Sequence, residues 1–191
     1  MDLKAKEKKL KEIYERFEKS ASEYKKDAIC KIGCGYCCTA GSIDITTLEG
    51  LVIRAQIKGF SKPLKSRIKK KLAQNKHEKE SQKIAQCPFL KEDQTCLIYE
   101  VRPFSCRQLY SVRECRDRGP TIHRRASELA KTFIQKLQRL DETGYSGHIS
   151  FILYLLERPE FRKLYQSGGF DPVKIMDFGK GHGIVINRIV A

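Results

Sequence analysis

Cys30-Lys31-Ile32-Gly33-Cys34-Gly35-Tyr36-Cys37-Cys38 places four cysteines within nine residues, and Gly41 follows closely. Glycines at 33, 35 and 41 permit the tight turns that draw sulfur atoms together. Thiolate is a soft ligand suited to zinc, iron or an iron–sulfur cluster. A structural zinc usually takes four ligands and a cubane usually takes four cysteines. In either kind of site, short loops bring in two or three ligands and a distant segment supplies the rest.

Cys87, Cys96 and Cys106 supply that distant group, at spacings that local turns do not explain. The expected metal ligands are therefore Cys30, Cys34, Cys37, Cys38, Cys87, Cys96 and Cys106. Cys115 lies in a basic loop without such context and is expected to stay outside the set. Cys37 and Cys38 are adjacent, and neighbouring side chains diverge. Either one ligates while the other packs, or the two serve different ions. Seven or eight thiolates exceed the needs of one ion, which leaves open a two-metal site or one cluster plus one structural ion.

The compartment decides what eight cysteines mean. The first residues, MDLKAKEKKLKEIYERFEK, are charged throughout and contain no apolar core of a secretory signal. The longest apolar stretch, Ile149 to Leu156, is too short to span a bilayer. A cytoplasmic protein with no transmembrane segment is expected, where clustered cysteines bind metal more often than they form disulfides.

Outward from the cysteines, the pattern is mostly α with a few short strands: a small, cysteine-rich, metal-stapled domain with helices packed around it. Residues 1–28 read as an N-terminal amphipathic helix, 29–118 as the cysteine-cluster domain and 119–191 as its helical C-terminal part. Leu10, Tyr14, Phe17, Ala21, Tyr24 and Ala28 recur at helical spacing over 2–28. Ser42 to Thr46 alternates like a strand. Thr46 and Glu49 have capping-box spacing for a helix reaching Lys58. Leu64, Ile68 and Leu72 mark a helix within 61–83, with 74–83 expected as a linker. Glu92-Asp93-Gln94 is a turn candidate, and Pro103 suits the first turn of a helix bearing Cys106 and Arg107. Amphipathic or buried helices are expected over 121–141, 146–157, 159–166 and 172–178, with a strand over 179–191. Gly179 to Gly183 reads as a turn, and His77, His123, His148 and His182 lack ligand spacing.

The two cysteine groups together resemble the YkgJ-like cysteine-cluster family. The resemblance rests on Cys30 to Cys38, on Ile43 to Glu49, on Cys87-Pro88-Phe89-Leu90, on Cys96-Leu97-Ile98-Tyr99-Glu100-Val101-Arg102-Pro103, and on Cys106-Arg107. One departure is the spacing from Cys30 to Cys34, where three residues replace the family's two. The resemblance implies chelation of zinc or iron. Arg102 and Arg107 either offset the negative charge of a thiolate site or form ordinary salt bridges, with Glu100 as a partner.

Two other functions fit parts of the sequence. Cys30, Cys34 and Cys37 match the spacing of a radical S-adenosylmethionine loop, which in that superfamily follows the first strand of a βα barrel. A similar cluster also occurs in flagellin lysine-N-methylase, which implies methyl transfer. The second function is contact with a partner. The formal net charge is +15, and residues 58–83 carry ten Lys or Arg against Glu78 and Glu80. That basic segment suits an acidic protein partner or nucleic acid.

Overall fold

A computed structural model of the chain describes residues 2–40, 42–81, 83–115 and 119–169. The helix expected over 172–178, the strand expected over 179–191 and the Gly179–Gly183 turn lie outside the described residues, as does Gly41. Among the described residues the fold is mostly α, with eight α-helices and one two-stranded sheet.

The N-terminal helix α1 (Leu3–Ala21) is capped by Asp2, whose carboxylate accepts the Ala5 N–H at 2.8 Å. It buries Leu10, Tyr14, Phe17 and Ala21, the predicted stripe. The helix ends before Tyr24 and Ala28, seven residues short of the expected boundary. The Ser22 hydroxyl donates to the Lys19 carbonyl at 2.8 Å, competing with the helical ladder. Tyr24 then stacks on the His123 ring at 5.0 Å instead of continuing the stripe.

A one-turn helix, α2 (Tyr36–Ala40), carries Cys37 and Cys38. Strand β1 (Asp44–Thr46) follows, and Ile43 and Ile45 are both buried as their alternation predicts. Thr46 and Glu49 form the predicted capping box of α3 (Thr47–Lys58). The basic helix α4 (Lys62–Glu80) overturns the expected linker: residues 74–80 are helical. Gln74–Glu78 and Lys76–Glu80 pairs support this turn, and buried Asn75 donates to the Gln86 carbonyl at 2.8 Å.

Beyond the second cysteine group come α5 (Phe104–Arg107) and α6 (Arg124–Leu140). Residues 146–148, expected as the start of a helix, form strand β2 (Ser146–His148). It pairs antiparallel with β1 in the register Asp44↔His148, Ile45↔Gly147 and Thr46↔Ser146. Helices α7 (Ile149–Glu157) and α8 (Pro159–Ser167) complete the described chain.

Two apolar clusters hold these elements. The first centres on α7, with Phe151, Ile152 and Leu156 packed among Ile45, Ile53, Ile68 and Phe89. The second joins α1 to α6 through Phe17, Phe104 and Phe133, and the Phe17 ring lies 4.6 Å and 5.4 Å from the other two. No helix among the described residues is long and apolar enough to cross a membrane.

Candidate metal centre

The first cysteine loop is shaped by its glycines. The Cys34 N–H donates to the Lys31 carbonyl at 3.0 Å and Gly33 has φ +85°, so the residues between Cys30 and Cys34 make a turn that glycine favours at its third position. Gly35 is required for a different reason. A Cβ there would stand 2.6 Å from Gln94 Oε1 and 3.0 Å from Leu90 Cδ1, so glycine lets this loop press against the second cysteine segment without displacing those side chains.

That second segment is a small hairpin. Leu90 and Cys96 form an antiparallel bridge, the Leu97 N–H donates to the Phe89 carbonyl at 2.9 Å, and Gln94 takes φ +62° at the predicted turn. The Cys87 N–H reaches across to the Cys38 carbonyl at 2.6 Å, tying the two cysteine segments together. All eight cysteines are free thiols.

Helix α5 brings in Cys106, and its position is set by Glu49. This buried carboxylate accepts the Phe104 N–H at 2.7 Å, the Tyr14 hydroxyl at 2.6 Å and the Thr46 N–H at 2.8 Å. The sequence marks Glu49 only as a capping residue, because its other two partners lie far away in the chain. Ser105 also donates to the Asp44 carbonyl, holding α5 against β1. Arg102 and Arg107 pair with Glu18 of α1, each at 3.7 Å, rather than with the Glu100 carboxylate. Arg107 lies over the Tyr14 ring at 4.3 Å and Arg102 over the Tyr99 ring at 3.9 Å. The Arg102 charge acts against the burial that raises the thiols of Cys96 and Cys106.

The sulfur atoms sense one another. The neighbouring Cys87 holds the Cys38 thiol down to about 7, while its own is pushed well up. Burial raises Cys106 and Cys96, and the negative charge of Cys38 adds to both. Cys37 is pushed up to about 11, first by burial and then by the thiolates of Cys115, Cys30, Cys38 and Cys34. Mutual repulsion of this kind is relieved by a cation among the sulfurs.

Cys30 and Cys34 are exposed, Cys87 is buried, and Cys37, Cys38, Cys96, Cys106 and Cys115 are partly covered. The Ser111 N–H donates to Cys30 Sγ at 3.2 Å, and the Ile29 N–H returns to the Ser111 carbonyl at 2.9 Å. An open groove of about 670 Å³ beside Cys30 is lined by Ala28, Ile29, Lys31, Arg113 and Glu114. Ser111 carries no distinguishing mark in the sequence; only the fold sets it against Cys30. As placed, no three His, Cys, Asp or Glu side chains among the described residues are gathered tightly enough to hold a metal ion. The donor chemistry, free thiols carried on two segments that touch through Cys87 and Cys38, does suit zinc or iron. The histidines stand apart from this chemistry: His123 stacks on Tyr24, and buried His148 bonds Ser150 through Nδ1 at 2.8 Å.

A small helical domain in which two cysteine segments pack together belongs to the class of cysteine-cluster proteins. The family described as "CxxCxxCC: Putative zinc- or iron-chelating domain" matches residues 29–137, more than half of the chain, and the chain belongs to that family. No curated protein and no solved structure matches the chain significantly.

Proposed function

We propose that this protein binds zinc or iron through Cys30, Cys34, Cys37, Cys38, Cys87, Cys96 and Cys106. The observation that carries the reading is the meeting of the two cysteine segments: the Cys87 N–H donates to the Cys38 carbonyl, Gly35 lies close against Gln94 and Leu90, and Cys38, Cys96 and Cys106 pack against the core cluster that holds Cys87. Burial alone would account for one or two free cysteines; it does not account for seven in two segments that pack together. Bound metal supplies crosslinking of these segments, and its binding energy becomes folding energy. The residues do the rest: the thiols provide the donors, Arg102 offsets their charge, and the Ser111 N–H holds Cys30. Free thiols in this number suit the reducing cytoplasm. Residues 29–118 would then form the metal-binding body, with α1 packed on it and the helical remainder completing the same domain.

The test is metal analysis of the purified chain beside its cysteine variants. Cys34→Ser and Cys96→Ser are expected to lower the metal content and the stability together. Full metal content in both variants would overturn the reading.

One observation favours a second role alongside the first. Lys62, Arg67, Lys69 and Lys70 are exposed on α4, whose buried residues are only Ile68 and Asn75. The face suits an acidic protein or nucleic acid, bound with an affinity that falls steeply as salt is raised. The S-adenosylmethionine reading finds less support, since a short antiparallel sheet, not a parallel barrel, accompanies the cysteine loop among the described residues.

A further inference from the structure

We infer that the basic face of α4 seats in the major groove of double-stranded DNA, with Lys62 and Lys69 meeting phosphates of one strand and Arg67 and Lys70 those of the other. This rests on the second role proposed above and deepens it by naming the partner; it does not depend on the metal.

The charge is concentrated where the helix stands open. Residues 58–77 hold eight Lys or Arg and no Asp or Glu, more than half of the net charge of +15. Three of these cations serve the fold itself. Lys65 donates to the Lys58 carbonyl at 3.3 Å, Lys71 donates to the Leu90 carbonyl at 3.0 Å, and Lys76 pairs with Glu80. Lys62, Arg67, Lys69 and Lys70 are exposed and form no ion pair or side-chain hydrogen bond among the described residues. Elsewhere acids stand close by: Lys11 pairs with Glu15, Lys25 with Glu18 and Arg124 with Glu128.

Helix geometry arranges the four free cations in two rows. At about 100° per residue, Lys62 and Lys69 fall on one flank of the exposed side, and Arg67 and Lys70 on the other. Between the rows run Ser66 and Ala73, both exposed and both small. Ile68 and Asn75, which anchor the helix, lie on the opposite side. A ridge of small residues between two rows of cations fits the major groove of B-form DNA. That groove is about 12 Å wide, and an α-helix with its side chains is about 10–12 Å across. The major groove of A-form RNA is too deep and narrow for such an entry.

The chemistry of the face points to phosphate. Among the described residues no large apolar side chain is exposed on α4; the exposed ones are Ile29, Ile32, Ile84, Tyr99, Tyr154 and Leu164. Protein interfaces draw affinity from aromatic and other large anchors and are poor in lysine. Single-stranded nucleic acid needs rings on which its bases stack, and a membrane surface needs an apolar side to bury. A lysine-rich face without apolar anchors suits the duplex backbone, where cations displace condensed counterions. Such contacts set position without reading bases, so binding is independent of sequence.

The experiment follows the anisotropy of a labelled DNA duplex of about two helical turns, titrated with the full-length chain between about 50 and about 200 mM salt. Four phosphate contacts predict a log–log salt slope of about −3.6, a loss of about 100-fold over that range. Lys69→Ala combined with Lys70→Ala should bring the slope to about −1.8, with metal content and helical circular dichroism unchanged. Lys8→Ala combined with Lys11→Ala removes the same charge from α1 and should leave the slope alone. A duplex of unrelated sequence should bind equally, and an RNA duplex, a single DNA strand and polyglutamate more weakly. Equal losses in the two double variants would reduce the effect to net charge and overturn the inference. Binding of RNA, single strand or polyglutamate as tight as that of the DNA duplex would overturn the DNA assignment and keep the polyanion role. No binding to any of them at about 50 mM salt would remove both, while the metal-binding reading stands on its own analysis.

Discussion

At the scale of single residues, the cysteines depend on polar anchors that are not cysteines. Glu49 satisfies three donors from α1, β1 and α5, and through the Phe104 N–H it fixes the short helix that carries Cys106. Glu49→Ala leaves three buried donors unpaired and is expected to cost about 3 kcal/mol or more in urea unfolding. Glu49→Gln keeps one oxygen for Tyr14 and Phe104 and should cost clearly less. Equal losses in the two variants would mean that the carboxylate's shape, not its bonding, matters. Phe17 is fully buried between Phe104 and Phe133, and Phe17→Ala is expected to cost about 3–5 kcal/mol by the same measurement. Because Phe104 adjoins Cys106, that variant should also loosen metal retention.

The secondary-structure elements meet at close approaches that leave no spare room. Gly50 of α3 faces α7, where a Cβ would come within 2.8 Å of both Ile152 Cγ2 and Leu156 Cδ1. Gly50→Ala is expected to cost about 1–3 kcal/mol through overpacking, although alanine favours the helix itself. An unchanged denaturation midpoint would show that α3 and α7 can move apart. The elements also show what the sequence made legible. The α1 stripe, the Thr46–Glu49 capping box, the turn at Gln94 and the apolar face of α6 follow from local periodicity and local hydrogen bonds, and each is found. Residues 74–80 read as linker because Gln74, Lys76, Glu78 and Glu80 are polar, yet their pairing at four-residue spacing and the burial of Asn75 hold them helical. Ser146 to His148 read as helix because the apolar run follows directly. Pairing with β1, about a hundred residues earlier, makes it a strand, and no local signal encodes that partner. The site divides in the same way. The cysteine spacing announces thiolate chemistry, while the Cys87 contact with Cys38 and the Ser111 contact with Cys30 are set by packing.

For the whole molecule, buried titratable groups make the stability depend on pH. Burial holds His148 down to about 4, below the ordinary 6.5 of a histidine. Between those values the unfolded chain binds the extra proton, so the contribution is intact above pH 6.5 and is lost as pH falls toward 4. Asp141 acts with the opposite sign: burial raises it to about 6, so its proton favours the folded state as pH falls below that value. The His148 effect is therefore read as a difference. From pH 7 to pH 4.5 the wild type should lose about 2 kcal/mol more than His148→Gln, and parallel curves would show that His148 does not titrate on unfolding. In the proposed reading, bound metal would act on the same balance by crosslinking the cysteine segments. The most direct check of the central claim is metal and sulfide analysis, with an absorption spectrum, of the chain purified without oxygen. The account predicts bound zinc or iron in stoichiometric amount, lost with a chelator together with thermal stability. A metal-free protein with eight reactive thiols and unaltered stability would contradict it.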